Sequence, residues 1–183
     1  MTSNGAPWRA PRYRISLTAC LSVLAFAACS LCAQGAERAA SADEQYLDAL
    51  TGKWDMRGTL GDQPVRYHAF AERVLMGGFV SLLMTDAAAS PQYEADLYLG
   101  FDDKAGDYVG HWLDRYGAAG ARVVATGRRN GDVLILIFPY ADGWFRDTFT
   151  RHPATGTWSL LIESQAKDRS WSTFASYELK REK

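Results

Sequence analysis

Residues 121–138 read Ala-Arg-Val-Val-Ala-Thr-Gly-Arg-Arg-Asn-Gly-Asp-Val-Leu-Ile-Leu-Ile-Phe, two runs suited to extended chain with Asn130-Gly131 between them. Asn and Gly accept the positive φ that a two-residue turn demands, so the pair predicts a tight antiparallel hairpin. The second run, from Asp132 to Phe138, is apolar in both phases, which predicts cover on both faces. Outward from this hairpin the pattern repeats. Gly61-Asp62, Met76-Gly77-Gly78, residues 87–91, 102–106, 153–156 and 166–169 are turn-forming stretches. They leave predicted strands at 53–60, 64–74, 79–85, 93–101, 108–114, 121–128, 132–138, 144–150, 157–165 and 171–180. That spacing has no room for crossover helices and indicates an antiparallel meander. An open sheet of about ten strands would curl or expose its edges, so closure is the natural solution. An immunoglobulin-like sandwich finds no Cys-Trp-Cys pattern to support it. The expected fold class is all-β: a single antiparallel up-and-down β-barrel of about ten strands with one short N-terminal helix.

The helix is predicted just before the first strand. Ser41 and Glu44 form a capping-box pattern, Tyr46, Leu47 and Leu50 give one apolar stripe, and Gly52 stops it. Residues 37–42 read as a linker and 43–183 as the barrel domain.

Residues 1–36 read as an export signal. Arg9, Arg12 and Arg14 precede an apolar run from Ile15 to Ala33, and small residues follow at Gly35 and Ala36. Cleavage there releases a soluble periplasmic or secreted chain, the expected product. Phe26-Ala27-Ala28-Cys29 offers the other outcome, because it resembles a lipoprotein box that would anchor the protein through Cys29, although Phe stands where Leu is usual. All three cysteines lie in this segment, so the barrel relies on neither disulfides nor thiolate chemistry. The segment also holds three of the 20 Lys+Arg and none of the 21 Asp+Glu, which leaves 17 against 21, a formal −4. An acidic balance argues against nucleic acid as a partner.

Gly52-Lys53-Trp54, opening the first strand after a short helix, resembles the Gly-x-Trp signature of the lipocalins and their calycin relatives. Residues 50–54, 74–79 and 99–102 resemble a bacterial calycin group of uncharacterised function. The resemblance implies a barrel whose Trp54 plugs one end, with Arg181 from the last strand lying across its ring. Cation–π attraction gives that pairing a physical reason. It implies no activity.

Candidate site residues come from charges and polar groups inside predicted strands. Asp96, Asp114, Asp147 and Glu163 lie within predicted strands with Arg122 and Arg146 among them, and each either faces water or is paired. If their face lines the lumen, Arg146 would meet a ligand carboxylate, as in fatty-acid-binding relatives; if not, they are solvated cross-strand pairs. Tyr98 joins Tyr140, Tyr177 and the tryptophans as candidate cavity aromatics. Alternation of Tyr93, Ala95, Leu97, Leu99 and Phe101 with Glu94, Asp96 and Tyr98 separates two faces without assigning either to the lumen. His111, in mid-strand, is a hydrogen-bonded residue on the ordinary reading. It is also the candidate haem ligand if the chain follows the nitrobindin-like branch of the calycins, which places its ligand nearer the C-terminus. Asp102, Asp103 and Asp107 lack the spacing of a calcium loop and read as a carboxylate-held hairpin. No nucleophile elbow, phosphate loop or dinucleotide fingerprint is present.

The leading expectation is therefore an exported barrel that binds a small apolar or amphipathic molecule in its lumen, without a catalytic centre or metal. A haem-binding barrel, a lumen-type enzyme and a structural envelope protein without a ligand remain the alternatives.

Overall fold

The computed structural model describes residues 40–182, which fall in one compact unit. The export segment, Cys29 and residues 37–39 of the linker lie outside the described residues. Helix α1 (Ala42–Leu50) starts as expected: the Ser41 hydroxyl accepts from the Glu44 amide at 3.1 Å, and the Glu44 carboxylate accepts from the Ser41 amide at 2.8 Å. Ten strands follow: β1 (Gly52–Leu60), β2 (Gln63–Val74), β3 (Phe79–Asp86), β4 (Glu94–Asp102), β5 (Asp107–Asp114), β6 (Val124–Asn130), β7 (Val133–Tyr140), β8 (Gly143–His152), β9 (Thr157–Gln165) and β10 (Trp171–Arg181). Each pairs antiparallel with its neighbours in sequence, and β10 pairs with β1, which closes the barrel with Trp54 opposite Arg181. No helix among the described residues is long and apolar enough to cross a membrane.

Period-two alternation assigns the faces. In β4, Ala95, Leu97 and Leu99 are buried in the lumen, while Glu94, Asp96 and Tyr98 turn outward. Cross-strand register carries the assignment round the barrel. Tyr98 stands opposite His111, and Arg146 stands opposite Glu163.

The N-terminal helix closes one end. Leu47 and Leu50 are 1 % exposed beneath it, and Trp54 at 0 % fills the space below. The Trp54 indole donates to the Leu50 carbonyl at 2.7 Å, and the Arg181 guanidinium lies 4.2 Å from the Trp54 ring centroid. Arg181 also donates to Thr51 O at 2.8 Å and Ala49 O at 3.3 Å, capping carbonyls that a helix end leaves without partners. Gly52 permits this. Its φ is +130°, and a Cβ there would overlap the Arg181 guanidinium. A polar cluster pins the start of α1: Asp43 accepts from Arg129 and from the Tyr108 hydroxyl, each at 2.8 Å, and Arg129 lies 5.3 Å from the Tyr46 ring centroid.

Two sequence expectations are corrected. The predicted strand 121–128 begins only at Val124. Residues Gly120–Arg122 form a 3₁₀ turn instead, because β5 pairs with this strand no further than His111 opposite Val124 and leaves the preceding amides no ladder partner. Arg122 is thus a turn residue. The stretch after Asp132 is fully covered on one face only: Leu134, Leu136 and Phe138 are buried, whereas on the outer face Val133 and Ile137 are half-buried and Ile135 is 41 % exposed. Its β-branched side chain suits a pleated strand without being core. The Asp102 hairpin is as expected, with Asp102 Oδ1 accepting from the Lys104 and Ala105 amides at 3.0 and 3.3 Å.

Candidate functional site

Strand ends decide where a site can form. The helix-covered end gathers the β2–β3, β4–β5, β6–β7 and β8–β9 connections, and its lumen is packed with Trp54, Phe149, Trp158 and Leu160. At the other end the β1–β2, β3–β4, β5–β6, β7–β8 and β9–β10 connections surround a cavity of about 560 Å³. A second recess of about 490 Å³ lies beside the β3–β4 connection, bounded by Pro64–Tyr67 and Asp86–Ala88. It shares Tyr67 and Tyr93 with the lumen cavity and is otherwise walled by the β2 and β3 ends.

The wall of the lumen cavity is aromatic. Tyr67 of β2 meets Tyr177 of β10 with ring centroids 5.8 Å apart, and Tyr93 at the mouth meets Tyr67 at the same separation. On the opposite side Phe138 stacks on Tyr140 at 6.0 Å, Tyr140 meets Phe145 edge-on at 5.8 Å, and Phe145 meets Phe174 at 5.2 Å. Phe174 reaches the mouth because the β9–β10 register shifts between Thr173 and Ala175, an irregularity that re-aims one side chain. Met56, Met84 and Ile162 line the interior between these rings. Burial holds the Tyr93 and Tyr177 phenols well above their ordinary range, so they remain neutral hydrogen-bonding groups at physiological pH.

Two carboxyl groups enter this wall. Asp114 ends β5 and accepts from the Tyr116 amide at 2.9 Å. Asp147 of β8 lies deeper, between the inward-facing Phe145 and Phe149, and is 2 % exposed. Desolvation pushes its carboxyl up to about 8. Among the described residues no Lys, Arg or His lines the cavity.

The candidates named from sequence lie on the other face. Arg146 and Glu163 form a 2.7 Å ion pair on the outside of β8 and β9, with Arg146 also 4.5 Å from the Trp171 ring centroid. Asp96 accepts from Ser81 at 2.6 Å on the outside of β3 and β4, next to the outward Tyr98. His111 also turns outward, and its Nε2 bonds to the Ala121 carbonyl oxygen at 2.7 Å. A haem ligand inside the lumen does not fit that orientation. None of the five side chains lines the cavity. Of the aromatic candidates, Trp112, Tyr140 and Tyr177 do line it. Among the described residues no three His, Cys, Asp or Glu side chains converge as a metal site.

Asp147 and Asp114 stand among the strand carboxylates noted from sequence, and their phase within the strand distinguishes them from Asp96 and Glu163. In β8, Phe145 and Phe149 mark the apolar phase and Asp147 falls between them, whereas Arg146 and Thr148 mark the polar phase. Asp114 likewise shares the phase of Tyr108 and Trp112. A carboxylate in the apolar phase of a strand points to the lumen.

Among solved structures the chain is similar to Rv2717c from Mycobacterium tuberculosis. The match covers 78 % of this chain and 99 % of that one, with a TM-score of 0.54 and 17 % sequence identity. A calycin-like fold fits this barrel. At that identity the likeness is one of fold alone. No family model matches the chain, and no curated protein matches it in sequence. In this barrel the closed end carries the Trp54–Arg181 plug and the open end carries the cavity, so stability and candidate function occupy opposite halves.

Proposed function

We propose that this barrel binds a small apolar or amphipathic molecule in the cavity at its open end, outside the cytoplasm. The observation that carries the proposal is the cavity itself. Its volume of about 560 Å³ lies within the range of small-molecule sites, and its wall is mainly aromatic and apolar with a few polar groups. Packing of rings across the mouth supports the proposal, because Tyr93, Phe145 and Phe174 would shield a ligand from water. Export is supported by the charged, apolar and small-residue parts of residues 1–36.

The test is a titration of a neutral fluorescent apolar probe into the purified protein, alongside mass spectrometry of molecules extracted from natively purified material. Saturable binding is expected, weakened at least about tenfold by Ile162→Trp, which fills the cavity from β9. Ile162 is 7 % exposed and faces that space, so the added ring has room to occupy it. Probe binding that is absent, or indifferent to Ile162→Trp, overturns the proposal.

A further inference from the structure

Asp147 has no structural reason to be a carboxyl group. Among the described residues it is the only buried acidic or basic side chain, and no hydrogen bond or ion pair joins it to another residue. Its cross-strand neighbours are Leu136 on β7 and Ile162 on β9, both apolar. A leucine in its place would bury more favourably, since the carboxyl group, protonated or ionised, loses hydration here without gaining a protein partner and reaches only the cavity space. The side chain points into a space that a ligand would fill.

The surroundings select the sign of the missing partner. Asp114 from β5 adds a second carboxyl to the same wall, and no cationic side chain among the described residues lines it, the Arg115 guanidinium at the mouth being bonded to the Gln92 carbonyl. Tyr140 from β7 and Tyr177 from β10 interact electrostatically with Asp147, and Tyr67 from β2 packs against Tyr177. All three phenols are held above their ordinary range by burial, so they stay uncharged. Met56 from β1 and Ile162 from β9 contribute no charge. Faces of such rings attract cations, most strongly where water is excluded. An anionic amphiphile such as a fatty acid would bring its carboxylate towards two acidic groups with no lining cation to pair it, only neutral O–H groups.

We infer that the ligand is an amphipathic cation, a protonated amine or guanidinium on an apolar or aromatic body, whose charged end pairs with Asp147. This rests on the cavity being a ligand site, as proposed above. The body lies among Trp112, Phe138 and Phe145, and the cationic end reaches the depth of Asp147. Pairing ionises the carboxyl group, so a cation binding near neutral pH displaces a proton to solvent.

Three probes of one shape test this: 2-(2-naphthyl)ethylamine, the matching alcohol and the matching carboxylate, titrated calorimetrically into the whole protein at pH 7 and 8.5. The amine is expected to bind at least about tenfold more tightly than the alcohol at pH 8.5, and the carboxylate more weakly than the alcohol. Asp147→Asn should bring the amine down to the alcohol while leaving the alcohol within about threefold of its original affinity. At pH 7, repeating the amine titration in buffers of different ionisation enthalpy should show proton release, absent for the alcohol. This readout needs no variant and decides the matter if Asp147→Asn fails to fold. Equal affinities for amine and alcohol, or tightest binding of the carboxylate, overturn the inference while leaving the cavity as a ligand site. Failure of all three to bind overturns both.

Discussion

Replacing Asp147 by Asn should make the protein more stable, and by an amount that depends on pH. Burial raises this carboxyl group to about 8, whereas in the unfolded chain it titrates near the ordinary value of about 4. Between those values the folded protein retains a proton that the unfolded chain has released. Stability from this group is therefore fully present below about pH 4, falls as pH rises, and is lost once pH passes about 8. Each tenfold change in proton affinity corresponds to about 1.4 kcal/mol, so the loss is about 1–2 kcal/mol at pH 5 and about 4 kcal/mol at pH 7. Asn fills nearly the same volume and does not titrate. Urea unfolding of both proteins at pH 5, 6, 7 and 8 isolates the effect, because every other titrating group is common to the two. The gap between them should widen by about 1 kcal/mol or slightly more for each pH step up to 7, and by less from 7 to 8, where the folded-state group itself titrates. A gap that stays constant across the series would show Asp147 to be solvated or paired in the folded protein, and would refute the reasoning.

The closed end gives two further expectations. Trp54→Ala removes a fully buried indole from beneath α1 and should lower stability by about 3–5 kcal/mol, read from the urea midpoint. Gly52→Ala should destabilise by expelling the Arg181 side chain and straining a backbone at φ +130°; Arg181→Ala should remove the first part of that penalty, so the double variant loses less than the sum of the singles by unfolding assay.

Much of the barrel is legible in the chain because its signals are local. Asn130-Gly131 marks the β6–β7 hairpin, although the two-residue turn is Gly131-Asp132 and Asn130 pairs opposite Val133; Ser41 and Glu44 start the helix, and Arg181 lies across the Trp54 ring as the resemblance implies. The site is less legible for a reason of symmetry. Alternation divides Arg146 from Asp147 but does not by itself label a face, and charges such as Arg146 and Glu163 attract notice while satisfying one another outside. Phase relative to the large apolar residues breaks the tie, since Phe145 and Phe149 carry Asp147 inward. The misplaced start of β6 has a different cause. Val123 and Val124 look alike in sequence, and only the reach of β5 decides which of them is paired.

The most direct measurement is a crystal structure of the natively purified protein, inspected at the open end of the barrel. Density for a bound molecule lying among Trp112, Phe138 and Tyr177, with a polar end at Asp147, is the expected result. A lumen in which those side chains meet one another and leave no space of ligand size would contradict it.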